Sequence, residues 1–120
     1  MKQARPLAIV NALIVTPGGL VAGALRCSEG LVLAHGADVA AEQGDEVFDA
    51  RGKLLAPGLV DYGVFAVDKP AFHFGGITRA ALMPDQSPPL DLPSRVGFIA
   101  KSGKPDLWVH PLAAATRGLE

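Results

Sequence analysis

Cysteine is nearly absent. Cys27 is the only one, which excludes an intrachain disulfide and a thiolate zinc cluster and fits a reducing, cytoplasmic setting. Aromatic residues make up only 6% of the chain, so small aliphatic side chains must fill most of any core. Neither sign of charge is in excess, with 11 Lys and Arg against 12 Asp and Glu. That balance argues against nucleic acid as a partner, and the lack of like-charge runs argues against a membrane-surface patch. Long apolar runs are missing too. Residues 7–15 are interrupted by Asn11 and are too short to cross a bilayer. They follow Lys2 and Arg5 as a signal peptide would, but Thr16-Pro17-Gly18-Gly19 reads as a turn and not as a cleavage site. Histidine is scarce: His35, His73 and His110 are the three, and none pairs with another at metal-ligand spacing.

What is present is a chain that is 49% hydrophobic and rich in turn formers, with 14 Gly and 10 Pro. That composition predicts a folded chain of short elements. Residues 7–15 read as a buried strand ending at Pro17-Gly18-Gly19. Residues 20–26 and 31–34 flank Ser28-Glu29-Gly30 and suggest a hairpin. Residues 36–44 read as loop, and 46–49 and 53–56 as two short strands around Ala50-Arg51-Gly52. The first 56 residues are thus expected to form a small β-rich domain.

The pattern changes at Pro57-Gly58. Residues 59–67 read as a strand, and 68–76 as loop, with Lys69-Pro70 and Gly75-Gly76 as breakers. Residues 77–83 read as a strand covered on both faces. Residues 84–93 hold four prolines and read as irregular. A helix is expected over 92–101, with Asp91 or Ser94 as N-cap and Gly103 near its end. Residues 107–112 are the last strand candidate. Strand, loop, strand, helix, strand is the grammar of a parallel α/β sheet or barrel.

Three segments carry a resemblance. Residues 46–61, ending in Pro57-Gly58-Leu59-Val60-Asp61, are similar to a stretch found across the amidohydrolase superfamily. There a small β-domain hands over to the first strand of a TIM-like barrel. Gly75-Gly76-Ile77-Thr78, followed by Met83-Pro84-Asp85-Gln86-Ser87-Pro88-Pro89, resembles the dihydroorotase pattern G-G-(F/I)-T-T…M-P-N-T-x-P. Residues 109–120, beginning Val109-His110-Pro111, resemble that family's V-x-P-x-(G/A)-A-x-T-K-G-x-x-G. The three occur in the family's order over nearly the whole chain. The resemblance implies an α/β fold in which a β-sandwich-like composite domain, residues 1–56, leads into an incomplete TIM-like barrel, residues 57–120, truncated relative to a full barrel. It implies that Leu59 and Val60 enter the barrel core and that Asp61 lies near the strand's C-terminal half. Only Ala71-Phe72-His73-Phe74 stands between Pro70 and Gly75, where the family fits a helix, so the first βα unit is expected to be altered.

Active members of that family carry D-x-H-x-H-x-R after the Pro-Gly motif, and the two His ligate zinc. Here the segment reads Asp61-Tyr62-Gly63-Val64-Phe65-Ala66-Val67. Gly63 and Phe65 hold the ligand positions, and neither has a donor atom in its side chain. Val67 holds the position of the substrate-binding Arg. Asp85 stands where the family usually has a substrate-binding Asn, and its carboxylate would repel an anion. The resemblance therefore implies a catalytically silent homologue with no bound cofactor. Such homologues in pyrimidine biosynthesis serve as structural partners of aspartate transcarbamoylase, which makes that enzyme the expected partner. The alternative is an active cyclic amidohydrolase whose zinc is held by ligands from a C-terminal region beyond residue 120. Self-association through an open barrel edge is also expected.

The remaining polar residues have plainer readings. His73 is expected in a loop or packed between Phe72 and Phe74, and His110 at a strand end. Asp61 is expected to bond nearby backbone. Asp68 and Lys69 read as a solvated pair, and Gly75-Gly76 lacks the rest of a phosphate loop. Cys27 reads as a small core residue, and Trp108 as packing outside its strand.

Overall fold

Asn11 interrupts the first apolar run, and the reason is structural. In the computed structural model, which describes residues 5–117, Asn11 takes φ 52°, a backbone region that Asn tolerates better than most residues. It sits at a register shift in the first strand, β1 (Leu7–Thr16). Its carbonyl accepts from Gly52 N at 2.7 Å, and its amide donates to Asp49 Oδ1 at 3.0 Å. The bulge bends β1 so that each half finds its own parallel neighbour. Leu7–Val10 pairs with β4 (Glu46–Asp49), and Leu13–Ile14 with β5 (Leu54–Leu55). On its other edge β1 pairs antiparallel with β2 (Gly19–Ser28), which pairs antiparallel with β3 (Leu31–Gly36).

The β2–β3 turn has φ 51° at Glu29 and 79° at Gly30, the two-residue turn whose twist matches paired strands. A Cβ on Gly23 would lie 2.1 Å from the Gly36 carbonyl oxygen, so glycine is required where β3 ends against β2. The loop after β3 is tied back by Arg26, which pairs with Asp45 at 2.8 Å and also with Glu42. The chain divides into two compact units after Pro57. The core of the first is thin: Ala12, Ile14 and Ala50, with Ile9, Leu25 and Leu55 against them. Cys27 is half-buried on β2 and is not a core residue, because it falls at a register shift between β2 and β3.

Two carboxylates of this unit titrate below their ordinary value of 3.8. Asp45 is held down chiefly by Arg26 and then by the Glu42 N–H, and Asp49 chiefly by the Asn11 amide and then by the Arg51 N–H. A depressed carboxylate contributes stability above its unfolded pKa and loses it as pH falls through the folded value. The urea midpoint should therefore drop as pH falls below about 4. Asp45→Asn should flatten that dependence, and an unchanged acid limb in this variant would refute the assignment.

The second unit is a parallel sheet in the order β6 (Leu59–Val64), β7 (Ile77–Leu82), β8 (Trp108–Pro111). The β6–β7 connection is not all loop. It contains a six-residue helix, α1 (Lys69–Phe74), N-capped by the Asp68 carboxylate, which accepts from Ala71 N at 3.3 Å. Pro70 looks like a breaker but falls in the first turn, where its missing N–H costs nothing. Asp68 and Lys69 do not pair with each other, because Asp68 serves as the cap and Lys69 reaches Asp106 at 3.3 Å. The second helix, α2 (Pro93–Ser102), starts at Leu92, with neither Asp91 nor Ser94 as cap. Pro93 opens the helix, and Asp91 instead accepts from Arg95 Nη1 at 2.6 Å.

Both helices lie over one face of the sheet. Leu82, Leu90, Leu107 and Val109 form the buried cluster, with Phe72 from α1 and Val96 and Ile99 from α2 against it. β7 is buried only in its second half, since Thr78 and Arg79 are exposed. Leu59 and Val60 are exposed as well, which corrects the expectation that they enter a core. No strand flanks β6 on its outer side among the described residues, so nothing there covers them. Among the described residues, no helix is long and apolar enough to cross a membrane.

Candidate functional site

The segment with the family's ligand positions begins on β6. Asp61 is half-buried at the middle of that strand, in register with Ala80. Its side chain makes no hydrogen bond among the described residues, so the expected bond to backbone is not formed. The register of β6 against β7 shifts between Tyr62 and Val64. Gly63 is the residue at that shift, with φ 101°, a left-handed conformation natural to glycine and strained for any residue with a Cβ. Space is not the obstacle, since a Cβ there would find only Met83 Sδ, at 4.0 Å. The backbone is.

β6 ends at Val64, whose carbonyl accepts from Met83 N at 2.9 Å. Phe65 therefore lies past the strand and is 66% exposed. Gln86 clamps it there, donating through Nε2 to the Phe65 carbonyl at 3.1 Å and the Met83 carbonyl at 3.0 Å. The alternation that would aim residues 63 and 65 at one point is thus broken at Gly63 and ended at Val64. Val67 packs against the buried cluster. Asp85 is exposed. Pro84 closes the loop that follows, its carbonyl accepting from Leu90 N at 3.0 Å. Pro57 ends the first unit and Gly58 opens the second. A Cβ on Gly58 would collide with the Thr78 side chain at 2.2 Å, which explains the glycine.

The histidines do not supply a substitute. His35 lies on β3, beside an apolar cleft of Ile14, Leu25, Val32 and Leu55. His73 sits in the last turn of α1, not in a loop, and is exposed. Its neighbours do not enclose it: Phe72 turns to the core, while Phe74 is 97% exposed. His110 is exposed on β8, its Nε2 3.4 Å from Arg79 Nη1. Among the described residues, no three His, Cys, Asp or Glu side chains gather as a metal site. A zinc ion does not fit these residues: Gly63 and Phe65 have no side-chain donor, and the strand that would align the two positions shifts register at Gly63 and ends at Val64. The sequence places Gln86 in the motif of the resemblance but gives it no role of its own. A single amide among prolines gives no signal until the fold places it beside Phe65.

No family model matches the chain. It is 38% identical over 89 residues to a dihydroorotase of Pelotomaculum thermopropionicum, a match covering 62% of this chain and 21% of the relative. It is 31% identical over 108 residues to a dihydroorotase of a Geobacillus species, covering 78% of this chain and 25% of that one. The chain therefore spans about a quarter of the length of the curated relatives it matches. Among solved structures, an L-hydantoinase (dihydropyrimidinase) from Arthrobacter aurescens superposes with TM-score 0.77 at 23% identity, over 94% of this chain and 28% of that one. At that identity the likeness speaks for the fold.

Proposed function

We propose, from the premise that the chain belongs to the dihydroorotase-like amidohydrolases, that it is a catalytically silent homologue acting in pyrimidine biosynthesis. The observation that carries this is Gly63: the first ligand position has lost its donor and has taken a backbone that a histidine would strain. Phe65, clamped outside the strand, removes the second donor. A zinc-activated water is what such hydrolases use as nucleophile, and these residues offer the ion no seat. We propose further that the chain's role is structural, with aspartate transcarbamoylase as its partner. Apolar side chains exposed on two separate strands of the first unit, Leu31, Val32 and Leu33 on β3 and Val47 and Phe48 on β4, support protein contacts there.

The test is metal content and ring hydrolysis measured on one preparation. The expected result is less than about 0.1 equivalent of zinc, since a catalytic site needs a bound ion, and no hydrolysis of dihydroorotate above a buffer blank. Stoichiometric zinc with turnover would reverse the reading in favour of an active hydrolase. Failure to co-purify with the transferase would remove the partner and leave the silence untouched.

A further inference from the structure

The sheet of the second unit has one face under the helices and one face bare of them. Leu82 and Val109 face Val96 and Ile99 of α2. Arg79 and Trp108 alternate with those buried residues and stand opposite each other in register, with Ala81 and His110 as the next pair. One strand over, Tyr62 pairs with Ala81 and is 81% exposed.

On this face two cations converge on one ring. The Arg79 guanidinium carbon is 5.1 Å from the Trp108 ring centre, and Lys104 Nζ is 4.2 Å from it. The His110 ring stands 3.4 Å from Arg79 Nη1. None of Arg79, Lys104 and His110 forms an ion pair with a carboxylate among the described residues; Arg26, Lys69 and Arg95 hold those. The ring draws each cation by its quadrupole, and neither has a carboxylate to balance its charge among the described residues. An oxyanion bound at this cluster would supply that counter-charge and accept charge-assisted hydrogen bonds from the cations.

We propose that this Trp108-centred cluster binds a small oxyanion, carboxylate or phosphate, through Arg79 and Lys104, with the His110 ring beside Arg79. The site uses none of residues 61–67 and does not depend on the catalytic silence of the chain. It is an anion-binding function, and it needs no metal.

Trp108 is the only tryptophan, so its fluorescence and its indole N–H resonance report this site alone. The full chain would be titrated with sodium phosphate and, separately, sodium malonate, at fixed ionic strength with chloride as balance. The expected result is a saturable shift of the indole signal with at least one of the two. Phosphate alone, malonate alone or both would assign the class of anion. Lys104→Ala and Arg79→Ala should each weaken binding about tenfold, the effect of losing one charged hydrogen bond. Lys101→Ala, which removes a charge from α2 away from the ring, should leave it unchanged. Lys104 is exposed between α2 and β8, so its variant remains informative if Arg79→Ala fails to fold. No saturable shift with either anion, or equal affinity in the Lys104 and Lys101 variants, overturns the proposal.

Discussion

Restoring histidine at positions 63 and 65 together is expected to leave the chain without zinc. The substitution returns two imidazoles to the sequence and not to one place in space. A histidine replacing Gly63 would have to hold φ 101°, a conformation that costs a residue with a Cβ about 1–3 kcal/mol. A histidine replacing Phe65 would start from a position past the end of β6, its carbonyl fixed by Gln86. The Gly63→His, Phe65→His variant should hold less than about 0.1 equivalent of zinc and unfold with stability lower by about 1–3 kcal/mol. Metal analysis and urea titration check the two halves of this expectation. One zinc per chain with undiminished stability would mean that the strand readily straightens, and that the loss of ligands is no deeper than two side chains.

Leu107→Ala should have the largest effect on folding of any single truncation in the second unit. Leu107 has no exposed surface and is the largest side chain so fully buried among the described residues. It joins Leu82, Leu90 and Val109 in the cluster that both helices cover. Its N–H also closes the turn after α2, donating to the Gly103 carbonyl at 3.0 Å. The turn is tight, since a Cβ on Gly103 would lie 2.4 Å from the Leu107 carbonyl oxygen. A neighbourhood so constrained cannot collapse to fill the gap. The expected loss is about 2–5 kcal/mol, read in the denaturation transition that Trp108 fluorescence reports. A loss under about 1 kcal/mol would show that the cluster repacks and is less rigid than its burial suggests.

Most strands could be read from the residues because their causes are local. Pro17-Gly18, Glu29-Gly30 and Arg51-Gly52 each mark a turn, and strands flank all three. The parallel grammar of the second half also came through, since β6, β7 and β8 form one parallel sheet. Two readings failed because one residue can play two parts. Pro70 resembles a breaker but opens a helix, and Asp91 resembles a cap but pairs with Arg95 while Pro93 starts the helix from Leu92. That residues 63 and 65 carry no side-chain donor was legible as letters. The left-handed φ of Gly63 and the end of β6 at Val64 were not, because both go with the pairing of β6 and β7, a product of the tertiary fold. The Trp108 cluster was hidden for a similar reason: Arg79 is far in sequence from Trp108 and His110 and meets them only through strand register.

The pairing of β1 also sets an order of events. Its antiparallel neighbour follows at once in the chain, but its parallel neighbours begin only at Glu46, opposite Leu7, and end with Leu55, opposite Ile14. A ribosome releasing this chain would expose the hairpin first, with one side of β1 open. That open side is a template for any extended segment, and closing it requires a long loop to come round. The bulge at Asn11, by kinking the strand, makes the waiting edge a poorer match for a straight intruder.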